Sequence, residues 1–499
     1  MEQVQELEFW KHVSGLSPGW QESRDKVAAL LLSASDALKG GEHLARSLEL
    51  LREAVAAAPD SAAGRNKLIT TLIENGCFEQ AFTAWNEIFR ARPEWMEVHS
   101  AVQNHFYYYG QISYSRRILQ CVVDHQQKRA AELQFDRLGI RGLREYPSAI
   151  GHIGLLDNYA KMTRLGWRSS DEPVLLVHPR IANPAYLEYW RDFYPRMVMD
   201  PIAIDLMRPI SRYIEDRITP ILDKDRNLTA GEDYVGAALQ AMIQSAWEAE
   251  GRGPLLKLKD QDRERGSKLL QSLGMPADAW FVSLHIREGR CGFRAARDAS
   301  AQNYFPAIDE IRRRGGWVVR MGDPSMTPLP PMDGVIDYAV SKARQDWMDI
   351  YLWAACRFYI GTPSGPAWIP PTFGVPCVAT NWNAYLTWRW FGQDIFLPKL
   401  LWLNSEKRYL KFTEVLGTPL GSAEAPAYFE SVGVTIVDNT AEEITESVVE
   451  MLDRLEGKSK YCTEDEERNK RFETAWSTKA YKGAARIGRE FLKRHADLI

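Results

Sequence analysis

The densest group of reactive side chains is an arginine cluster in the segment SLHIREGRCGFRAARD, residues 283–298. Apolar residues before it predict a buried strand over 281–286, which delivers His285 to its carboxyl end. Four cations so close together repel one another, and guanidinium groups bind phosphate oxygens in pairs of hydrogen bonds. The cluster therefore predicts a diphosphate site, the alternative being a solvated loop with salt bridges to nearby acids. Its arginines are Arg287, Arg290, Arg294 and Arg297.

A second group follows a predicted strand at 358–360, in the segment IGTPSGPAWIPPTFGVPCVATN. Thr362, Ser364 and Gly365 form a turn before a short helix, where backbone amides and hydroxyls make an anion site. Asn381 closes the same segment and is a further candidate for donor binding. A plain strand–turn–helix connection has the same appearance, so this group is informative only beside the arginines.

A third group, Arg320, Gly322 and Asp323, lies at the end of a strand predicted over 317–321. Asp323 either binds the hydroxyls of a ribose or sugar or forms a turn.

A fourth segment, IGHIGLLDNYAKMTRLGW, residues 150–167, places His152 between two glycines ahead of a helix. His152 or Asp157 is a candidate general base for an acceptor hydroxyl. The alternative for His152 is a turn or packing role.

The elements that position these groups follow an α/β pattern from about residue 148. Short apolar runs alternate with amphipathic helices, which predicts parallel strands that carry ligands at their carboxyl ends. We predict two facing Rossmann-like domains, 148–275 and 276–499, the latter with helices at its C-terminal end. Further strands are predicted over 335–339 and 375–379, and a return strand over 434–437 precedes a capping box at Thr440 and Glu443.

Residues 1–145 lack a convincing strand pattern and instead repeat with a period of 34 residues. Pro59 and Pro93 are one period apart, and Gly76 stands at a glycine position with Ala81 and Trp85 in the same unit. This module resembles two to three tetratricopeptide repeats. It is interpreted either as a docking site for a protein or as a helical cap that stabilises the enzyme.

Composition narrows the classes of protein that remain. A net charge of -4 over 499 residues favours neither nucleic acid nor an anionic membrane as partner. The scattered cysteines and histidines fit no metal site and no disulfide framework, so neither metal nor other cofactor is expected. The N-terminus has no signal-peptide pattern and no apolar run reaches membrane-spanning length, so a cytoplasmic location is expected, with at most peripheral contact at the inner membrane face.

An aromatic stretch over 385–402, YLTWRWFGQDIFLPKLLW, allows three interpretations. It stacks on a sugar acceptor, lies at a lipid interface beside a lipid-linked acceptor, or packs in the interior.

The His285–Arg287 motif on the first strand of the second domain resembles the nucleotide-sugar site of fucosyltransferase-like enzymes of GT-B architecture. Together with QNYFPAIDEIRRRGGWVVRMGD, VIDYA and IGTPSG, it is similar to a bacterial family of glycosyltransferases associated with surface-polysaccharide genes. The resemblance covers 150–455 and implies that Arg287 binds the diphosphate, with His285 among the catalytic candidates. It also implies that domain 148–275 receives the acceptor and domain 276–499 binds the nucleotide sugar. This chain has Arg287–Glu288–Gly289 where the fucosyl enzymes often have two arginines, which leaves base and sugar open.

The resulting hypothesis is a metal-independent glycosyltransferase that moves a hexosyl or fucosyl group from a nucleotide-sugar donor. The acceptor is a glycan, a lipid-linked glycan or a protein, in the synthesis of surface polysaccharide or glycoconjugate, with inversion if the fucosyl-type resemblance holds. Two alternatives remain: a nucleotide-sugar epimerase of the same fold, and a non-catalytic scaffold built on the repeats.

Overall fold

The structure is a computed structural model, and it divides into two compact units, Met1–His125 and Gln126–Ile499. No helix among its described residues is long and apolar enough to cross a membrane. The predicted boundaries at 145/148 and 275/276 do not coincide with this division and stay predictions. The structure describes residues 2–38, 43–135, 142–143, 149–167, 174–176, 180–210, 235–289, 295–383, 391–416, 418–477 and 483–499.

The first unit is helical, and its helices show the 34-residue period directly. Two helices start 34 residues apart at Ala62 and Met96, and the helices that follow them start 34 residues apart at Phe78 and Ile112. The elements are α1 (Glu2–Leu16), α2 (Gln21–Asp36), α3 (Leu44–Ala57), α4 (Ala62–Glu74), α5 (Phe78–Ala91), α6 (Met96–Tyr108) and α7 (Ile112–Glu132), which continues past the unit boundary.

Each repeat position in this unit has a physical role. Gly76 has a φ of 74°, the left-handed conformation that a tight turn between α4 and α5 requires and that glycine adopts without a steric cost. Ala81 and Trp85 are fully buried on α5, and the Trp85 indole donates to Nδ1 of His99 on α6 at 3.1 Å. In this unit, therefore, the glycine allows the turn, and the small and the large side chain of α5 pack in the interior.

The second unit is α/β and contains the strands that carry the site candidates. Its helices are α8 (Ile150–Arg164), α9 (Pro184–Tyr189), α10 (Pro201–Met207), α11 (Val235–Ala249), α12 (Asp260–Ser272), α13 (Phe305–Arg313), α14 (Asp346–Ala355), α15 (Phe412–Leu416), α16 (Pro426–Ser431), α17 (Ala441–Leu455), α18 (Thr463–Ser477) and α19 (Arg489–Arg494). Its strands are β1 (Gly142–Leu143), β2 (Val174–Leu176), β3 (Arg196–Val198), β4 (Phe281–His285), β5 (Trp317–Arg320), β6 (Val335–Asp337), β7 (Tyr359–Gly361), β8 (Cys377–Trp382), β9 (Ile395–Pro398), β10 (Leu400–Leu403), β11 (Arg408–Tyr409), β12 (Val434–Val437) and β13 (Arg486–Ile487).

The main sheet has seven parallel strands in the order β13-β9-β8-β7-β4-β5-β6. Every residue of β4 is buried, as expected of a central strand covered on both faces. A smaller parallel sheet holds β1, β2 and β3. The predicted fold class, an α/β part with parallel sheets behind a helical repeat module, is confirmed.

One strand prediction needs correction. Val434–Val437 is a strand, but it pairs antiparallel with β10 in a separate sheet of β11, β10 and β12, so it is not the return strand of the main sheet. The main sheet continues instead through β9 and β13. Strand pairing depends on contacts between distant segments, which an apolar run of four residues does not specify.

The core of the main sheet explains why its helices lie where they do. Ile308 and Ile311 on α13 and Val448 on α17 are buried in one cluster with Val282 and Leu284 of β4. The capping box that begins α17 is confirmed, since the Thr440 hydroxyl accepts from the Glu443 amide at 3.2 Å and the Glu443 carboxylate accepts from the Thr440 amide at 2.9 Å. Such a cap contributes about 1 kcal/mol to helix stability.

Candidate functional site

The order of strands in the main sheet places the candidate site. The chain winds outward from β4 through β5 to β6, then returns to the other side of β4 with β7 and continues through β8. In open α/β sheets ligands bind outside the carboxyl ends of the strands, at the point where the winding reverses. That point, the switch point of the sheet, lies between β4 and β7, where His285 pairs in register with Gly361.

The first and second predicted groups meet at this point. The Arg287 amide donates to the hydroxyl oxygen of Thr362 at 3.0 Å, and the Thr362 amide donates to the carbonyl of His285 at 3.2 Å. Thr362 is buried, and the hydroxyl that accepts this bond still has a proton to donate. Thr362 therefore fixes the backbone that presents Arg287.

The Arg287 side chain is oriented by a chain of charged contacts. Its Nε lies 3.1 Å from Oδ1 of Asp298, at the far end of the arginine segment. The carbonyl of Asp298 accepts from Nζ of Lys399 at 2.7 Å, and the same Nζ lies 2.7 Å from Oδ1 of Asp438. Burial lowers the pKa of Lys399, although Asp438 acts in the opposite direction. The loop after β4 is thus tied to the far end of β9.

Of the other arginines in the cluster, Arg290 and Arg294 lie outside the described residues. Arg297 forms an ion pair with the buried carboxylate of Glu424. The protein therefore supplies counter-charges of its own, Asp298 for Arg287 and Glu424 for Arg297.

Arg320, predicted to bind the donor, lies fully buried in a network inside the domain. Its Nη2 lies 2.8 Å from Oε1 of Glu288, and its Nη1 lies 3.3 Å from Asp337 and donates to the Thr327 carbonyl at 2.9 Å. Glu288, which stands where fucosyl enzymes often have a second arginine, also accepts from the Thr327 amide at 2.6 Å. The donor-binding role of Arg320 stays a prediction that this geometry does not favour.

Asp323 makes the hydrogen bonds of a turn-forming residue. Its Oδ1 accepts from the Ser325 amide at 3.0 Å and from the Ser325 hydroxyl at 2.6 Å. A side chain at Gly322 would come 2.2 Å from Sδ of Met326, so this glycine makes room for packing. Contact of either residue with a donor stays a prediction.

The fourth predicted segment contacts the switch point where its Gly151 packs against Gly365 of the turn after β7. A Cβ at Gly151 would come 2.8 Å from the Cα of Gly365, and a Cβ at Gly365 would come 2.9 Å from the amide nitrogen of Gly151. The backbone of α8 therefore packs directly on the turn after β7. His152 is the next residue and is exposed, and Ser364 is half-buried on the other side of the same contact.

Asp157, the second candidate base, lies five residues after His152 on α8 and is buried. Its Oδ2 lies 2.5 Å from Nζ of Lys161, which also donates to the Gln244 side chain at 2.8 Å. Burial raises the pKa of Asp157, although Lys161 acts to lower it. A buried carboxylate in an ion pair is a poor match for a base that must meet an acceptor, so its role stays a prediction without geometric support.

Asn381 is fully buried at the end of β8 with both ends of its amide bonded inside the protein. Its Nδ2 donates to the Tyr304 hydroxyl at 3.0 Å, and its Oδ1 accepts from the Asn439 amide at 2.8 Å. Oδ1 of Asn439 in turn accepts a hydrogen bond from the backbone amide of Asn381 at 2.6 Å. Asn381 therefore joins β8 to the start of α17, and donor contact would require it to exchange these bonds.

The described part of the aromatic stretch contributes to the interior. Residues 384–390 lie outside the described residues. Phe391 and the strands β9 and β10 are largely buried, and the Trp402 ring meets Tyr409 edge-on at 5.0 Å between centroids.

Sequence reasoning missed Lys399, whose Nζ bonds the carbonyl of Asp298. Lys399 stands alone between the apolar runs IFLP and LLWL, and a single cation there signals a buried ion pair. Among the described residues, no group of three histidine, cysteine, aspartate or glutamate side chains is arranged to hold a metal ion.

Comparison with known proteins gives only distant likenesses. No protein-family model matches the chain, and no curated protein matches it in sequence. Among solved structures, a glycosyl transferase family 9 protein from Veillonella parvula aligns at 13% identity and a TM-score of 0.37, over 62% of this chain and 95% of its own. The dodecameric iron-containing heptosyltransferase TibC in complex with ADP-D-beta-D-heptose aligns at 12% identity and a TM-score of 0.32, over 62% of this chain and 73% of its own. An O-GlcNAc transferase from Thermobaculum terrenum aligns at 11% identity and a TM-score of 0.25, over 99% of this chain and 93% of its own. Scores this low carry no weight for the chemistry of this chain.

Proposed function

We propose that this protein is a glycosyltransferase that moves a sugar from a nucleotide-sugar donor to an acceptor hydroxyl. One observation carries the proposal: Arg287 and the Thr362–Gly365 turn, on separate loops, are bonded together where the main sheet reverses its winding. A guanidinium beside backbone amides and hydroxyls suits a diphosphate.

In the proposed reaction the acceptor oxygen forms a bond to the anomeric carbon as the bond from that carbon to the diphosphate oxygen breaks. The nucleoside diphosphate leaves with the electron pair, and the negative charge on its leaving oxygen grows. Arg287 stabilises that charge, an effect that is large where the donors are already oriented. Asp298 holds Nε of Arg287, so little reorganisation is needed as the charge develops.

The proton of the acceptor hydroxyl passes to a base on α8. His152 is the better supported candidate because it is exposed and adjoins the contact between Gly151 and Gly365. Asp157 is less suitable because Lys161 already neutralises it in the interior. His285 is buried at the end of β4, where its carbonyl holds Thr362.

The finer features of the proposal rest on the sequence. Arginines take the role that a divalent cation has in other transferases, so no metal is required. The resemblance to surface-polysaccharide transferases supports a glycan, lipid-linked or protein acceptor. The resemblance to fucosyltransferase-like enzymes supports an inverting displacement. A protein partner at the helical repeats belongs to the same proposal.

Thermal-shift binding tests the proposal on wild type and Arg287→Ala. The probes are GDP, UDP, ADP and dTDP, each also as a hexose ester. A ligand at a hundred times its dissociation constant adds about 2.7 kcal/mol to stability, which is readily measured. We expect one base to stabilise the wild type and the variant to lose that response.

Arg313→Ala is the matched control, since Arg313 is exposed on α13 and pairs only with Glu310 among the contacts described. It should respond like wild type. If no probe stabilises the wild type, the proposal fails. If a nucleotide sugar binds and is converted without an acceptor, the epimerase alternative replaces it.

A further inference from the structure

Asn383 carries a fully buried side-chain amide to which no described residue offers a hydrogen bond. The residue directly follows β8 and has no exposed surface. Among the residues that the structure describes, neither its Nδ2 nor its Oδ1 has a hydrogen-bond partner. Buried amides almost always have partners, because burying one without them costs stability.

The contrast with Asn381, two residues earlier, shows that this position is unusual. The Asn381 amide donates to Tyr304 and accepts from Asn439, so the fold uses both of its ends. Asn383 is equally buried and uses neither. An amide with an empty donor and an empty acceptor is explained if a ligand supplies both.

The position of Asn383 connects it to the diphosphate candidate. The residue before it, Trp382, accepts a bond from the Lys399 amide at 2.9 Å. Nζ of Lys399 bonds the carbonyl of Asp298, whose carboxylate holds Arg287. Asn383 therefore directly follows the end of β8, which Lys399 and Asp298 connect to Arg287.

Strand order gives the scale of the separation. β8 is two strands from β4, and adjacent strands are about 4.8 Å apart, so the two strand ends are separated by about 10 Å along the carboxyl edge. A nucleotide sugar held by its diphosphate at Arg287 is long enough to reach that far.

We infer that Asn383 is a donor-recognition residue, whose carboxamide binds a neighbouring donor and acceptor on the nucleotide sugar while Arg287 holds the diphosphate. This inference rests on the proposed function. The chemistry it requires, a donor beside an acceptor, is found in vicinal hydroxyls of the transferred sugar and in the edge of the base.

Isothermal titration calorimetry on the full chain tests the inference with the nucleoside diphosphate and the hexose ester that stabilise the wild type. Asn383→Leu keeps a similar volume and removes the amide. We expect it to weaken binding about tenfold, the effect of one or two lost hydrogen bonds, and to leave the melting temperature at or above that of wild type. If only the hexose ester loses affinity, the amide reads the sugar; if both ligands lose it equally, the amide reads the nucleoside.

Asn381→Ala is the matched control and should lower the melting temperature, because it breaks the bonds to Tyr304 and Asn439. Asn383→Ala repeats the test if leucine does not fit. Unchanged affinity in a folded Asn383 variant, or a fall in its melting temperature like that of Asn381→Ala, overturns the inference while the proposed function stands. If the wild type binds no probe, the proposed function and this inference fall together.

Discussion

At the scale of single residues, the buried ionisable groups differ in whether the protein surrounds them with groups of opposite charge. Arg320 has two carboxylates and a carbonyl around it, and Lys399 has Asp438 and a carbonyl. Hydrogen bonds and ion pairs of this kind replace the interactions with water that a charged group loses on burial. These compensated cations position the loops at the switch point.

Asp349 on α14 is the opposite case. Burial raises the pKa of this carboxyl from its usual 3.8 to about 7, with Asp346 adding to the rise and Arg344 opposing it. Between these two pH values the folded protein holds a proton that the unfolded chain has released. Stability is therefore fully present below about pH 4 and is lost as the pH rises to about 7.

We predict that Asp349→Asn removes this loss. Asparagine is neutral at every pH, as the protonated carboxyl is, so the variant should match wild type near pH 4 and exceed it at pH 8. The expected gain at pH 8 is on the order of 2–4 kcal/mol in the free energy of unfolding. Urea unfolding at a series of pH values measures it. Asp309→Asn, at an exposed position on α13, is the control, and a gain that does not vary with pH would contradict the prediction.

At the scale of elements, the site depends on the packing of α8 against the turn after β7. Gly151 and Gly365 approach so closely that a methyl group on either meets the backbone of the other. Backbone moves less readily than a side chain, so the steric cost exceeds the gain in helix propensity from glycine to alanine. The two segments are far apart in sequence, and only the folded chain shows why both carry glycine.

We predict that Gly151→Ala destabilises the second unit by about 1–3 kcal/mol, the usual effect of overpacking. It should also weaken nucleotide binding, because the Thr362–Gly365 turn must shift to accept the methyl group. Chemical denaturation and calorimetry measure the two effects. Gly253→Ala has open space around the added methyl and should change neither. Loss of stability with unchanged affinity would show that the turn does not bind the donor.

The sequence predicted those elements whose signal is local. Strands such as β4 and β5 are short, mostly apolar runs, and α17 begins at a capping box that two residues, Thr440 and Glu443, define. It did not predict β13, which has two residues, or the partner of β12, because pairing is decided by distant contacts. The arginines lie close together in the sequence and were therefore predicted. The contacts of Lys399 with Asp298 and Asp438, which help to orient Arg287, join distant segments and were not.

At the scale of the whole molecule, two compact units correspond to two functional hypotheses. If the helical repeats make the protein a scaffold, its function lies in Met1–His125; if it is an autonomous transferase, binding lies in Gln126–Ile499. The donor candidates on β4 and β7 all belong to the second unit. Their main contacts, from Thr362 to Lys399, are made within it.

We predict that the second unit binds the nucleotide without the repeats. The cut must respect α7, which runs from Ile112 across the unit boundary to Glu132, so a chain that begins at Gln111 keeps this helix whole. Circular dichroism should show a folded α/β protein, and calorimetry should give the dissociation constant of the full chain for the same nucleoside diphosphate. Transfer to the natural acceptor is the second measurement, because repeats that dock a protein acceptor would be needed there and nowhere else. A folded fragment that no longer binds nucleotide would place part of the donor site in the repeats, and the assignment of that site to the second unit would be wrong.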